Sequence, residues 1–151
     1  MTILEKPKHV ARQTAVAEKL AQAWNAEYGS FGQYAPIDVY FMRNKNIVSM
    51  AEIRTRRDRE CNTFGTVLID LDKWFHLMQA EIGLAMPAMY VVTFTDGIWY
   101  VRIGTLAVNN FKIKYRGRTD RPEAPNDMSP VIEVPSSMFV RVCGSDGVFE
   151  E

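Results

Sequence analysis

Apolar residues recur at helical spacing over residues 9–28. There Val16, Leu20, Ala23 and Trp24 form one stripe and Gln13 precedes it by one turn. Glu18 falls nearly opposite that stripe and is expected to face solvent. Gly29, Gly32 and Pro36 break the pattern, after which the period changes to two. Residues 36–57 read as two short strands joined by a turn at 43–46. Val39 and Phe41 alternate with Asp38 and Tyr40, and in the second strand Val48, Met50, Glu52 and Arg54 share the face opposite Ile47, Ala51 and Ile53. A glutamate and an arginine two apart on a strand that otherwise reads as buried are not explained by burial. Such charges pair, bind a metal or line a cleft.

Beyond a polar connection at 58–65, residues 66–69 are a brief β-like run. Asp70 or Asp72 then caps a second helix, whose expected apolar face is Trp74, Phe75, Met78 and Ile82 and whose expected end is Gly83. The strongest strand signal covers 89–95, with Asp96-Gly97 as a two-residue turn and 98–103 as the returning partner. Residues 111–115 alternate, 116–130 are turn-rich, and 131–134 and 139–142 read as short strands or an ordered tail. The order α-β-β-α-β-β plus a β-rich tail predicts an α/β or α+β domain with a central mixed β-sheet flanked by helices. It is read as one domain over 1–151, with 1–8 a loose arm.

Composition narrows this little. Hydrophobic content of 47% and charged content of 24% are ordinary globular values. A net charge of zero argues against coating nucleic acid through bulk charge while leaving room for a local basic cleft. Cys61 and Cys143 have no metal-ligand spacing, and His9 and His76 have none either. Ser136 and Ser137 have no visible base partner, and the three tryptophans fall in apolar patterns as core anchors. No signal peptide or bilayer-spanning run is visible, so the expectation is a soluble, cytoplasmic protein with no membrane partner.

Asp38 and Glu52 lie 14 residues apart on neighbouring strands, where a hairpin can bring both carboxylates to one place. Two convergent carboxylates suit Mg²⁺ or Mn²⁺, with water and a substrate phosphate completing the shell. Pro36-Ile37-Asp38 followed by Glu52-Ile53-Arg54-Thr55-Arg56, between two helical patterns, resembles the PD-(D/E)XK nuclease superfamily of restriction enzymes, Holliday junction resolvases and phage nucleases. The stretches Phe64-Gly65-Thr66-Val67, Asp72-Lys73-Trp74 and Pro87 to Gly97 look like small phage-borne members, and the likeness covers roughly residues 10–103.

The resemblance implies a restriction-endonuclease-like fold and a metal-dependent DNA phosphodiesterase of phage origin, working in the host cytoplasm in DNA recombination or processing. Asp38 and Glu52 would be the metal-binding carboxylates. Two positions depart from the family pattern. Arg54 stands where the family has lysine, and arginine stabilises anionic charge but stays protonated. Gln13 stands where many members place a helix glutamate. Lys73 is the candidate replacement for the missing lysine, since some members carry it on such a helix. A catalytic set of Asp38, Glu52, Arg54, Lys73 and Gln13 results, and the resemblance admits a homodimer.

Each residue also has a plainer reading. Asp38 can be a turn residue, Glu52 and Arg54 a surface ladder pair, Lys73 a solvated helix residue and Gln13 a partly buried amide. Arg54, Arg56, Arg57 and Arg59, with Arg43 and Lys45 nearby, can be a solvated loop or a phosphate-attracting patch. Lys112, Lys114, Arg116, Arg118 and Arg121 begin at alternate positions, either as an arm tracking a DNA backbone or as a charge-protected edge strand. The alternative to an enzyme is the same fold without catalysis, a DNA- or protein-binding module. An accessory protein acting by protein contact is the third reading.

Overall fold

The computed structural model describes residues 7–32, 35–118 and 127–149. Helix α1 (Pro7–Ala23) buries Val16, Ala17, Leu20 and Ala21 against a six-stranded sheet. That sheet runs in the order β1 (Glu27–Ser30), β2 (Val39–Arg43), β3 (Asn46–Thr55), β5 (Ala88–Phe94), β6 (Gly97–Arg102), β9 (Val140–Cys143). All its pairings are antiparallel except β3 with β5. The sheet is therefore mixed, as expected, and β5, at its centre, is buried throughout.

The helix is shorter than its pattern predicts. It ends at Ala23 because Asn25 takes a left-handed conformation (φ 50°). The next four residues then become β1, paired with β2. Arg43 covers the exposed end of α1, its Nη2 donating to the Trp24 carbonyl at 2.6 Å and its Nε to the Asn25 carbonyl at 3.3 Å. Trp24 meets Phe41 and Tyr100 edge-on, at 5.2 and 5.6 Å between ring centres, which makes it the core anchor its pattern suggests.

The β2–β3 turn lies where predicted. Asn44 and Lys45 both have positive φ (51° and 66°), as in a mirror-image turn that matches strand twist. One detail differs. Phe41 pairs with Ser49 but Met42 with Ile47, so Val48 is the extra residue of a bulge and packs on the α1 side instead of sharing Met50's face. Beyond the bulge the alternation holds, with Met50 in the opposite core and Ala51 and Ile53 toward α1.

The 66–69 run does not join the central sheet. It is β4 (Thr66–Asp70), paired with β8 (Asp127–Pro135), which pairs in turn with β7 (Ile113–Arg118). The turn-rich 116–130 segment is thus partly strand, and 119–126 lie outside the described residues, as do residues 1–6 of the expected arm. Val67 and Ile69 alternate inward with Ile132 and Val134, closing a second core on the far face of the main sheet. The β5–β6 turn also shifts by one. Phe94 pairs with Gly97, leaving Thr95 and Asp96 as the loop.

Helix α2 (Leu71–Leu84) connects β4 to β5. Its buried stripe is rotated from the expected one. Leu77 is 1% exposed and lies between Trp74 and Met78 in the core, whereas Phe75 and Ile82 are 54% and 74% exposed. The helix ends at left-handed Ala85 (φ 52°), and Gly83 lies within it. Asp70 holds the N-cap position but makes no capping side-chain hydrogen bond. Among the described residues, no helix is long and apolar enough to cross a membrane.

Lys45 is an exposed non-glycine residue in a conformation that costs a Cβ-bearing residue about 1 kcal/mol. Lys45→Gly is therefore expected to raise the melting temperature by roughly 2–4 °C in a calorimetric scan.

Candidate active site

The antiparallel register places Val39 opposite Ala51, so Asp38, one residue before β2, comes level with Glu52 on β3. Asp38 is fixed there, its Oδ2 accepting a hydrogen bond from the Ile53 backbone N–H at 2.8 Å. The two carboxylates that the sequence pairs are thus neighbours.

Glu52 is 3% exposed. Its Oε1 lies 3.3 Å from Lys73 Nζ and 3.5 Å from Arg54 Nη2. Arg54 reaches it along the same strand face, two residues on. Lys73 reaches it because the α2 stripe is centred on Leu77, and Lys73 lies one turn before Leu77 on the same side of the helix. Glu52 Oε2 is buried without a hydrogen-bond partner. Burial raises the Glu52 pKa, and the negative charge of Asp38 raises it further. Lys73 and Arg54 pull it back, leaving it pushed up to about 7.

Arg54 is opposed by burial, yet Tyr90, Glu52, Asp70 and Asp38 outweigh that and hold its pKa above the ordinary value. Asp70 and Tyr90 are members of this charge network that sequence reasoning missed. Asp70 was readable only as a helix cap, and its approach to Arg54 follows from β4 leaving the main sheet. Tyr90 is the register partner of Glu52 on β5.

Gln13 lines two cavities. One, of about 350 Å³, also contains Asp38; the other, of about 260 Å³, contains Arg12, Arg54, Arg56 and Arg57. Helix α1 therefore brings Gln13 between the carboxylate and the arginines, and Glu18 points away, 3.5 Å from the Tyr28 hydroxyl. A separate cavity of about 500 Å³, between Trp24, Phe41, Met89 and Tyr100, is lined by no carboxylate.

The other basic residues divide. Arg43 pairs with Asn46 at the turn, six residues and roughly 20 Å of strand from Glu52, and is occupied by the end of α1. Arg59 lies over the Phe64 ring, 5.1 Å from its centre. Arg116 on β7 shares a small crevice over Tyr90 with Arg56 and Arg59. Lys112 is exposed, and Lys114 pairs with Glu133 at 3.0 Å. The Arg118 side chain and Arg121 lie outside the described residues, as does the His9 side chain. His76 is exposed. Ser136 donates to Asn62 at 2.6 Å.

The donors present fit a hard divalent cation. Two carboxylates that repel each other and a buried carboxylate oxygen without a partner are what such an ion relieves. Among the described residues no three His, Cys, Asp or Glu side chains converge. Asp38 and Glu52 would be the protein's carboxylate ligands, with water supplying further ones.

The fold belongs to the restriction-endonuclease-like class. The chain superposes on Hjc, a Holliday junction resolvase from the archaeal hyperthermophile Archaeoglobus fulgidus, with a TM-score of 0.57 and 8% identity over 94% of this chain and 96% of that one. It also superposes on a nuclease from a fusselovirus, with a TM-score of 0.51 and 14% identity over 93% and 90%. At such identities these likenesses speak to fold alone. No curated protein matches the chain by sequence. Residues 4–142 match the family described as "Phage putative PDDEXK endonuclease", and the chain belongs to that family.

A raised Glu52 pKa has a defined sign. Between its ordinary value of 4.5 and about 7 the folded state binds more protons than the unfolded one. Stability present below 4.5 is therefore lost as pH rises through about 7. In EDTA the melting temperature is expected to fall by several degrees from pH 5 to pH 8, and Glu52→Gln to remove most of that slope. An equal slope in both proteins would show that Glu52 does not titrate in this range.

Proposed function

We propose that the protein is a divalent-metal-dependent deoxyribonuclease that hydrolyses phosphodiester bonds in phage DNA recombination or processing, in the cytoplasm of the bacterial host. The observation that carries this reading is Lys73 Nζ standing 3.3 Å from the buried Glu52 carboxylate. An ammonium is thereby restored beside the glutamate although Arg54 occupies the family's lysine position. The same contact weighs against a lapsed module.

A cation bound by Asp38 and Glu52, Mg²⁺ or Mn²⁺, would supply Lewis-acid polarisation of the phosphate and neutralise its charge. Asp38 is held in place by the Ile53 amide, so its carboxylate needs little reorganisation on binding. Glu52 is dry and flanked by Lys73 and Arg54, which are placed to meet anionic oxygens of a phosphate brought to the carboxylates. Arg54 keeps its charge and acts as a clamp, not as a base. Gln13 offers an amide between Asp38 and the arginines, able to orient a water or a phosphate oxygen. Arg56 and Arg57 extend the positive surface from the end of β3, and Arg116 adds to it from β7.

Purified protein is expected to cut at least one of plasmid, linear, single-stranded or branched DNA with Mg²⁺ or Mn²⁺, and to lose activity in EDTA. Asp38→Ala and Glu52→Ala should each abolish cleavage, and Lys73→Met should lower the rate about 100-fold or more. No cleavage of any substrate by the unaltered protein would sink the enzymatic reading. Salt-sensitive DNA binding without cleavage would establish a binding module instead.

A further inference from the structure

Strand β1 carries an exposed ring to the edge of the carboxylate site. Ser30 pairs with Val39 at the end of the β1–β2 ladder, and the Phe31 backbone N–H donates to the Asp38 carbonyl at 3.3 Å, so Phe31 stands opposite Asp38. Gly29 is opposite Tyr40, and Tyr40 is opposite Met50, two residues before Glu52. Side chains directly opposite one another share a face of the sheet, as do those two apart along a strand. Phe31, Tyr40 and Glu52 therefore lie on the face that Lys73 reaches. Asp38 comes between Phe31 and Glu52, which are two strand spacings, about 10 Å, apart.

A lone apolar side chain at a surface needs no explanation, but this ring is supported from below. A Cβ at position 29 would collide with the Tyr40 ring, so Gly29 lets that ring lie across β1. Phe31 leans on it, with 5.0 Å between ring centres and an interplanar angle of 60°. The chain turns away directly afterwards, where Gly32 has φ 105° and its N–H donates to Ser30 Oγ at 3.1 Å. Phe31 is left 42% exposed beside the carboxylates.

We infer that Phe31, backed by Tyr40, is a stacking platform for one unpaired base of the DNA strand whose phosphate meets the Asp38–Glu52 carboxylates. Every base has a π face, so an exposed ring beside a phosphate site takes a base of any sequence. Such stacking is worth roughly 5–150-fold in affinity. A phenyl ring offers no hydrogen bond, so it adds affinity without reading sequence. In an intact duplex each base is paired and stacked, and exposing one costs energy that is absent in a single strand, a frayed end or a branch. The platform therefore selects single-stranded or locally open DNA. The inference rests on the nuclease reading for the strand at the carboxylates, and adds what holds the base next to the cut phosphate.

The full-length protein is titrated in EDTA into a fluorescein-labelled oligodeoxythymidylate and into an equally long strand made only of abasic residues, with anisotropy as the readout. Both strands carry the same phosphates, and only the first has bases to stack, whatever the register. The unaltered protein is expected to bind the thymidylate strand at least about fivefold more tightly. Phe31→Ala and Phe31→Leu should each bring that ratio to within about twofold of unity, whereas Phe31→Trp should keep it. Leucine retains the apolar bulk, so its failure beside rescue by tryptophan separates stacking from packing, and melting curves check that each variant folds. Equal affinity of the unaltered protein for the two strands, or no binding to either, overturns the proposal. A ratio that survives in Phe31→Leu also overturns it, since the preference then belongs to another surface. Phe31→Ala should lose more affinity for the thymidylate strand than for a fully paired duplex, and an equal loss on both overturns the choice of open DNA. A ratio controlled by Phe31, without cleavage of any DNA in Mg²⁺ or Mn²⁺, would uphold the platform and sink the catalytic reading. Cleavage that Asp38→Ala abolishes, without a base-dependent ratio, would do the reverse.

Discussion

The carboxylate of Glu52 is the constraint around which the rest of the molecule is arranged. An ionised glutamate in the middle of a core strand is among the costlier groups a small domain can hold, and it persists only with cationic company. Arg54 supplies part of that from the same strand and Lys73 supplies the rest from α2. Neither contact makes the site electrostatically quiet. One carboxylate oxygen is left without a hydrogen bond, and a second carboxylate stands nearby. A protein built for stability alone would replace this constellation with apolar side chains. Strongly perturbed charged groups of this kind cluster at functional sites.

Each part of the fold then has a positional role. The β2–β3 hairpin sets Asp38 level with Glu52 through its register, which the mirror-image turn and the bulge at Val48 set together. The parallel β3–β5 pair buries the strand that carries the glutamate. Helix α1 closes one face and delivers Gln13 to the space beside Asp38. Helix α2 and the second sheet close the other face and deliver Lys73. Arg54 approaches Glu52 from its own strand, and a different element, α2, brings the Lys73 ammonium to the same carboxylate.

Much of the site was legible because it depends on short-range rules. Period-two alternation and a turn at 43–46 place Asp38 and Glu52 on paired strands, the bulge at Val48 then sets them level, and Lys73 was readable as a residue bordering an apolar helix face. The failures involve either partners distant in sequence or local irregularities that periodicity does not record. Residues 27–30 carry no strong strand signal and become β1 only because β2 offers an edge. Val48 changes face through a bulge that periodicity cannot register. Phe75 and Ile82 look as apolar as Leu77 and Met78, and only docking decides which of them is buried. Residues 66–69 read correctly as a strand, but their partner lies some 65 residues downstream, so their sheet could not be read. Arg43 shows the complementary limit, since a cation near acidic neighbours in sequence proves to be a fastening for a helix end.

The pairing of β4 with β8 has a consequence for the order of events on the ribosome. Asp38 and Glu52 need only the hairpin and its neighbouring strand, all available once β5 has emerged. Lys73 rides on a helix that starts where β4 ends, and β4 has its sheet partner only after residues 127–135 are made. A nascent chain therefore carries the repelling carboxylates before the strand that anchors their cationic neighbour's helix exists. The sheet partner of β4 comes from residues 131–135, so a chain made only as far as β5 has the acidic half of the site without its settled counterpart.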